Sequence, residues 1–144
     1  MFKALLQTLL PFLSQLFLLM SQRSFETLNR QQKGRYFEDK ARRFLQKQGL
    51  KDFQANYSSL YGEIDMIARD GNTLVFIEVR YRESSSHGSA LATVNFHKQH
   101  KIRLTAQHFL QKNGLTNRMP CRFDVVGITG NESKLDFQWI KNAF

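Results

Sequence analysis

Hydrophobic residues recur with a helical period in two parts of the chain. The first part spans about residues 30–48 and is followed by Gly49, a common helix stop signal. Its apolar positions are Phe37, Ala41, Phe44 and Leu45. The second part runs from Thr93, a favourable N-cap residue, to Asn113. Each pattern predicts an amphipathic helix that packs one apolar stripe against the rest of its domain.

A period of two, typical of β-strands, lies between these helices on both sides of a turn signal. The segments "GEIDMIA" and "TLVFIEVRYR" flank "RDGN", which predicts a hairpin with a two-residue loop. Two further strands are predicted near "RFDVVGI" and "DFQWI". The order helix, strand, strand, helix, strand, strand favours an α/β or α+β sandwich with a mixed sheet.

Charged residues occupy one face of the predicted hairpin. Both Asp70-Gly71 and Gly71-Asn72 are suitable loops, and the second places Asp65 directly opposite Glu78. With either loop, the charged face carries Glu63, Asp65, Glu78 and Arg80. The opposite face is expected to be apolar, with Ile64, Met66, Ala68, Val75, Ile77 and Val79.

These acids need compensation, because a buried charge without a partner is costly. Two carboxylates on a rigid sheet repel each other unless a cation lies between them, and a hard divalent ion such as Mg²⁺ takes such oxygen ligands. Alternatively, Glu63 or Glu78 pairs with Arg80 in a structural salt bridge. Strand spacing alone leaves both interpretations open.

Two polar residues on the helices are predicted to approach this hairpin. Glu38 borders the apolar stripe of the first helix, although a glutamate at a helix edge also commonly serves solubility. Gln99 is expected to point inward from the second helix, between Ile102 and Ala106 on one side and Phe96 on the other.

The net charge of +9 and the pI of about 10.0 indicate an anionic partner, either nucleic acid or a membrane surface. The outer face of the second helix is predicted to carry His97, Lys98, Lys101, His108 and Lys112, and the first helix adds Lys33, Lys40, Arg42, Arg43 and Lys47. Such stripes can follow a phosphate backbone, although solvated lysine faces are also ordinary. The predicted nucleic-acid contacts are Lys98, Lys101, Arg42 and Arg43.

The single cysteine, Cys121, excludes an internal disulfide framework and fits a reducing, cytoplasmic compartment. It lies in the apolar run "CRFDVVGI" and is predicted to be a small core residue.

Residues 1–22 form a separate hydrophobic segment with a polar stripe on one side of a helix. The stripe argues against a signal peptide or a membrane span. It favours an amphipathic helix that lies on a membrane or covers an apolar patch of its own domain. The alternative is an upstream start codon that adds an extension with no role. Residues 23–29 are predicted to be a linker, and residues 30–144 the principal domain.

Four ordered motifs, "KGRYFEDKARRFLQKQGL", "GEIDMIARDGNTLVFIEVRYR", "HKQHKI" and "CRFDVVGITGN", resemble those of the YraN family of bacterial proteins. The resemblance covers residue 30 to the C-terminus and implies a restriction-endonuclease-like core with a D…(D/E)xK signature. It implies that Asp65 and Glu78 are the acids that bind Mg²⁺ or Mn²⁺. Glu38 matches the acid on the preceding helix and would complete the metal shell or orient the water, and Gln99 matches a polar residue on the following one.

The chain departs from this signature at Arg80, which stands in place of the lysine. A guanidinium does not act as a base, but it can stabilise developing negative charge. The function expected from the resemblance is binding of nucleic acid, DNA before RNA, with metal-dependent phosphodiester hydrolysis. The alternative is a non-catalytic basic module that docks on nucleic acid or on a membrane surface.

Overall fold

The computed structural model describes residues 11–16, 25, 27–83, 94–131 and 133–144. The chain divides into two units, Met1–Arg35 and Tyr36–Phe144. The principal elements are α1 (Arg30–Lys47), β1 (Lys51–Ser59), β2 (Gly62–Asp70), β3 (Thr73–Arg82), α2 (Phe96–Lys112), β4 (Cys121–Asn131) and β5 (Lys134–Ile140).

The five strands form one sheet in the order β1-β2-β3-β4-β5. β3 and β4 are parallel, and the other neighbouring pairs are antiparallel. The parallel pair requires a crossover, and α2 lies in that connection. The predicted mixed sheet and α/β class are therefore confirmed.

The two helices cover opposite faces of the sheet. Ile102 and Phe109 of α2 belong to a buried cluster that includes Phe76 of β3. On the other side, Phe37 of α1 stacks on Tyr81 of β3, with 3.5 Å between ring centroids. Phe76 and Tyr81 are five positions apart on one strand, so their side chains project to opposite faces. The α2 face is the one that carries Glu78.

Strand β1 was not predicted, because it lacks a regular alternation of apolar and polar residues. Most of its side chains are exposed, and Tyr57 is its only buried residue. Asp52 and Asn56 have positive φ angles of 54° and 52°, and the register with β2 shifts between Lys51 and Gln54. An irregular strand at the edge of a sheet leaves little period-two signal in the sequence.

The helix ends follow the expected chemistry at slightly different positions. Asn29 and Gln32 form a reciprocal capping box at the start of α1, with both side chain to backbone hydrogen bonds at 2.9 Å. The N-cap of α2 is Asn95, which accepts from the backbone nitrogen of Lys98. The prediction of Thr93 was wrong as an N-cap, and Thr93 itself lies outside the described residues.

Two other expectations concern single segments. Cys121 is exposed at the start of β4, so the prediction of a core cysteine was wrong. Of the amphipathic helix predicted for residues 1–22, the structure describes residues 11–16, which are helical with Phe12, Leu13 and Leu16 exposed. The remainder of that segment lies outside the described residues. In the part of the chain that is described, no helix is long and apolar enough to cross a membrane.

Asp124 of β4 anchors the C-terminal end of the chain to the sheet. Its side chain is fully buried and accepts from the side chains of Arg122 and Trp139 and from the backbone nitrogen of Asn142, all at 3.0–3.1 Å. Arg122 also contacts Asp70 at the tip of the β2–β3 hairpin, at 2.7 Å. One buried carboxylate therefore joins three chain segments.

We expect Asp124→Ala to lower the free energy of unfolding by about 3 kcal/mol, because it leaves Arg122 and the Trp139 indole without a buried acceptor. Urea denaturation measures this change. Asp136→Ala, at an exposed position on β5, is the matched control and should leave the midpoint unchanged. Equal midpoints for the two variants would contradict the anchoring role of Asp124.

Candidate active site

The candidate site lies where β2 and β3 separate. The hairpin loop is Gly71-Asn72, and the paired residues run from Asp70 opposite Thr73 to Met66 opposite Ile77. Beyond that last pair, the backbone nitrogen of Val79 donates to Asp65 Oδ2 at 2.8 Å. A carboxylate oxygen of β2 therefore accepts the hydrogen bond of a backbone amide of β3.

The predicted alternation along β2 fails at this point. Ile64 belongs to the buried cluster under α2 together with Ile67, which is three positions away. Two residues an odd number of positions apart share a face only when the strand is irregular between them. The assignment of Ile64 to the opposite face was therefore wrong. Glu63, its exposed neighbour, shares the Asn56 amide with Glu38 of α1 and so lies away from Glu78 and the α2 face.

Glu78 is a buried carboxylate with cations on one oxygen only. Its side chain is 2% exposed. Lys98 Nζ donates to Glu78 Oε1, and Arg80 Nε lies 3.1 Å from the same oxygen. Arg80 Nε is not aligned for a hydrogen bond, so its interaction is Coulombic. Glu78 Oε2 meets no hydrogen-bond donor among the described residues.

The proximity of Asp65 changes the acidity of both carboxyls. Burial and, after it, the negative charge of Asp65 raise the pKa of Glu78, while Lys98 and Arg80 oppose the increase, and the net result is a pKa of about 7. Burial also raises the pKa of Asp65, against the lowering effect of the Val79 amide, of the two cations and of the neighbouring Glu78 carboxyl, which hydrogen-bonds to Asp65 when it carries a proton. The structure thus brings Asp65, Glu78 and Arg80 together as the sequence predicted.

Lys98 is the member of this group that sequence reasoning placed wrongly. It was assigned to the solvated outer face of α2, but its ammonium reaches Glu78. Its position, four residues before the buried Ile102, was a usable signal, because residues at i and i+4 share a helix face. A long lysine side chain can extend from the edge of such a face to an acid.

His108 was also assigned to the outer face and lies inward instead. Its Nδ1 atom is 2.7 Å from the hydroxyl oxygen of Tyr57 on β1. His97, Lys101 and Lys112 are exposed as predicted. Lys101 therefore remains available to an anionic partner.

Glu38 and Gln99 contact other groups. With its amide nitrogen turned toward the carboxylates, Asn56 of β1 donates to Glu63 Oε1 at 3.0 Å and to Glu38 Oε2 at 3.2 Å. Gln99 Nε2 donates to the backbone oxygen of Val94, 2.8 Å away. Across the described ranges, no group of three or more His, Cys, Asp or Glu side chains is arranged to hold a metal ion. The acids brought together on the α2 face are Asp65 and Glu78.

The two arginines predicted to contact nucleic acid share one acid on α1. Arg42 Nη2 lies 2.8 Å from Asp39 Oδ1, and Arg43 Nε lies 2.8 Å from Asp39 Oδ2. These ion pairs hold the pKa of Asp39 below its usual value. Part of their charge is thus neutralised within the helix.

Fold and site together define an α/β protein with one buried and one half-buried acid between two strands, and known sequences give its family. The model of "Uncharacterised protein family UPF0102" matches residues 37–128. A UPF0102 protein of Enterobacter sp. (strain 638) is 49% identical over 118 residues, which are 81% of this chain and 87% of the relative. The UPF0102 protein of Aeromonas hydrophila subsp. hydrophila is 47% identical over 113 residues, covering 78% of this chain and 84% of the relative.

The UPF0102 protein YraN of Escherichia coli O1:K1 / APEC is 48% identical over 118 residues, which are 81% of this chain and 87% of that protein. The chain therefore belongs to the UPF0102 family. The resemblance to YraN that the sequence motifs indicated is confirmed.

Glu78→Gln is expected to flatten the pH dependence of the melting temperature. In the folded protein the pKa of Glu78 is raised from its ordinary value of 4.5 to about 7, so the folded chain keeps a proton that the unfolded chain has released. Stability from this group therefore falls as pH rises through that interval. The pKa of Asp65 is also raised and acts with the same sign.

The measurement is the melting temperature of each variant between about pH 5 and about pH 8. Asp39 and Asp70 have lowered pKa values, so their contributions fall below this interval. Glu83→Gln, in an exposed acid just after β3, is the control and should follow the wild-type curve. Parallel curves for wild type and Glu78→Gln would contradict the raised pKa.

Proposed function

We propose that this protein has a restriction-endonuclease-like fold and is a metal-dependent phosphodiesterase that acts on nucleic acid, DNA before RNA. The observation that carries the proposal is the pair Asp65 and Glu78, which meet between β2 and β3 with Glu78 Oε2 lacking a hydrogen-bond donor among the described residues. A buried carboxylate oxygen without a hydrogen-bond donor fits a cation ligand.

The donor set suits a hard divalent ion. Mg²⁺ is commonly held by one or two carboxylates, with water completing its coordination. Asp65 and Glu78 would hold the ion, and Val79 fixes one of them by donating to Asp65 Oδ2. Bound Mg²⁺ or Mn²⁺ would supply a water of lowered pKa and neutralise phosphate charge.

In the D…(D/E)xK signature a single lysine supplies the positive charge beside the acids. In this chain we assign that role to Lys98 and Arg80 together. Arg80 contributes a fixed positive charge beside Glu78, which suits stabilisation of negative charge that develops on phosphate. Lys98 adds an ammonium from α2, and an ammonium can exchange its proton where a guanidinium does not. The two cations also keep Glu78 oriented by binding its Oε1 atom.

The second candidate is a non-catalytic basic module that binds nucleic acid. It is favoured by the same two cations, because Lys98 and Arg80 already balance the charges of Asp65 and Glu78 without a metal. A structural ion-pair group of this kind needs no divalent ion. The two candidates make different predictions for cleavage.

If the phosphodiesterase proposal is correct, the wild-type protein cleaves branched, single-stranded or duplex DNA in Mn²⁺, and Asp65→Asn and Glu78→Gln both abolish cleavage. Each substitution removes a carboxylate that would hold the ion. The assay is gel analysis of labelled DNA with Mn²⁺ and with EDTA. Asp136→Asn, in an exposed acid on β5, should cleave as wild type does.

Calorimetric titration with Mn²⁺ separates loss of the metal from loss of the fold. Both site variants should lose the binding heat of the wild type, while circular dichroism shows intact structure. If wild type neither binds Mn²⁺ nor cleaves, the basic-module candidate replaces this proposal.

Lys101→Ala should weaken DNA binding and reduce the slope of log affinity against log salt by about 1, because one phosphate contact with its released counterion is lost. Lys101 is exposed on α2 and has no acid partner among the described ion pairs. Arg43→Ala, at an exposed arginine paired with Asp39, is the comparison and should reduce the slope less. Fluorescence anisotropy at several salt concentrations measures both slopes, and identical slopes for wild type and Lys101→Ala would contradict the predicted contact.

A further inference from the structure

The loop between β1 and β2 has a composition that hairpin formation does not explain. Ser59 pairs with Gly62, so the loop consists of Leu60 and Tyr61 alone. Two-residue hairpin loops favour Asn, Asp and Gly in turns with positive φ, whereas neither Leu60 nor Tyr61 has a positive φ. Leu60 is 83% exposed and Tyr61 is 41% exposed. Two large apolar residues thus occupy a position where small polar residues would fold better.

The loop is held in place from behind by α2. The backbone N–H of Tyr61 donates a hydrogen bond to Ser59 Oγ at 3.1 Å, and Ser59 Oγ lies 3.4 Å from Thr105 Oγ1. Gly62 lies directly against the helix, since a β-carbon there would be 3.6 Å from both Lys101 Cβ and Thr105 Oγ1. These contacts fix the base of the loop while Leu60 projects into solvent, and the partly exposed Tyr61 ring lies edge-on to His108 of α2 with 6.4 Å between ring centroids.

The loop is also set among positive charges. Gly62, which follows the loop, lies against α2 at Lys101, and α2 carries Lys98, Lys101, Arg103 and Lys112 but no acidic residue. Lys101 and Lys98 are three residues apart, so they lie on neighbouring positions of one helix side, separated by about 4.5 Å along the axis. Lys98 reaches Glu78. The Tyr61 ring lies beside His108, ten residues and about 15 Å along the helix axis from the residue that contacts the candidate site.

We propose that the Leu60–Tyr61 loop is a stacking platform for an unpaired base of a nucleic acid whose phosphates contact α2. An aromatic ring beside cations suits a nucleotide, because the ring stacks on the base while the cations bind the phosphates. Bases inside a continuous duplex are already stacked, so the loop selects single-stranded or branched substrates. This inference rests on the proposed function and specifies its substrate class.

The test measures binding in EDTA, without divalent metal, to a single-stranded oligonucleotide that contains 2-aminopurine. Wild type should bind and quench the probe by stacking. Tyr61→Ala should lose about tenfold in affinity together with the quenching, while Tyr61→Phe should retain both. Lys101→Ala should lower affinity but keep the quenching of the bound complex. For a blunt duplex of the same sequence, Tyr61→Ala should bind as wild type does.

Phe96→Ala is the matched control, because Phe96 is an aromatic residue 87% exposed at the start of α2. It should leave single-strand affinity and quenching unchanged. Circular dichroism melting of each variant confirms that the fold is intact, and Leu60→Ala provides a second loop variant, expected to lose affinity for the single strand.

Equal single-strand affinity and quenching in wild type and Tyr61→Ala would overturn the stacking platform. So would loop variants that lose binding to anionic phosphatidylglycerol vesicles while single-strand binding is unchanged, since that result assigns the loop to a membrane. Failure of the proposed function is a separate observation. Tyr61-dependent quenching without Mn²⁺-dependent cleavage contradicts hydrolysis alone. Mn²⁺-dependent cleavage that is the same in wild type and Tyr61→Ala contradicts the stacking platform alone.

Discussion

The hydrogen bond from the Val79 backbone nitrogen to Asp65 Oδ2 is the interaction on which the candidate site depends. A buried backbone amide requires an acceptor, and a neighbouring strand normally provides one. Here a side-chain carboxylate provides it, so β2 and β3 can separate without leaving that amide unsatisfied. The separation lets Asp65 approach Glu78, and the irregular backbone turns Ile64 toward α2.

Glu78 shows how the chain tolerates an acid in a position that is almost completely buried. Lys98 arrives from a helix and Arg80 from the same strand, so compensation comes from two elements. Both cations use Oε1, which leaves the carboxylate polarised between a paired and an unpaired oxygen. The arrangement costs stability as the group ionises, and a site that stores such a cost is typical of functional positions rather than of packing alone.

The sequence predicted the parts of this structure that follow from regular periods. Both helices and the hairpin were found because their apolar residues repeat at helical or strand spacing. The hairpin register, in which Asp70 pairs with Thr73 and Met66 with Ile77, brings Asp65 and Glu78 to one place when it is continued by one residue. The irregular parts were not predictable in that way. β1 has two residues with positive φ and few buried side chains, and Ile64 follows a break in alternation that depends on tertiary contacts. Lys98 was misplaced because a long flexible side chain can reach inward from the border of a solvated face.

The irregularity of β1 has a further consequence for the behaviour of the protein in solution. As an edge strand, β1 has one side that could template the addition of another chain and so start aggregation. The left-handed residues Asp52 and Asn56 interrupt its extended backbone, and Lys51 adds a charge at its start. A second copy would therefore find no continuous row of hydrogen-bonding groups to extend. The same features that hide this strand from pattern analysis protect this edge of the sheet against edge-to-edge association.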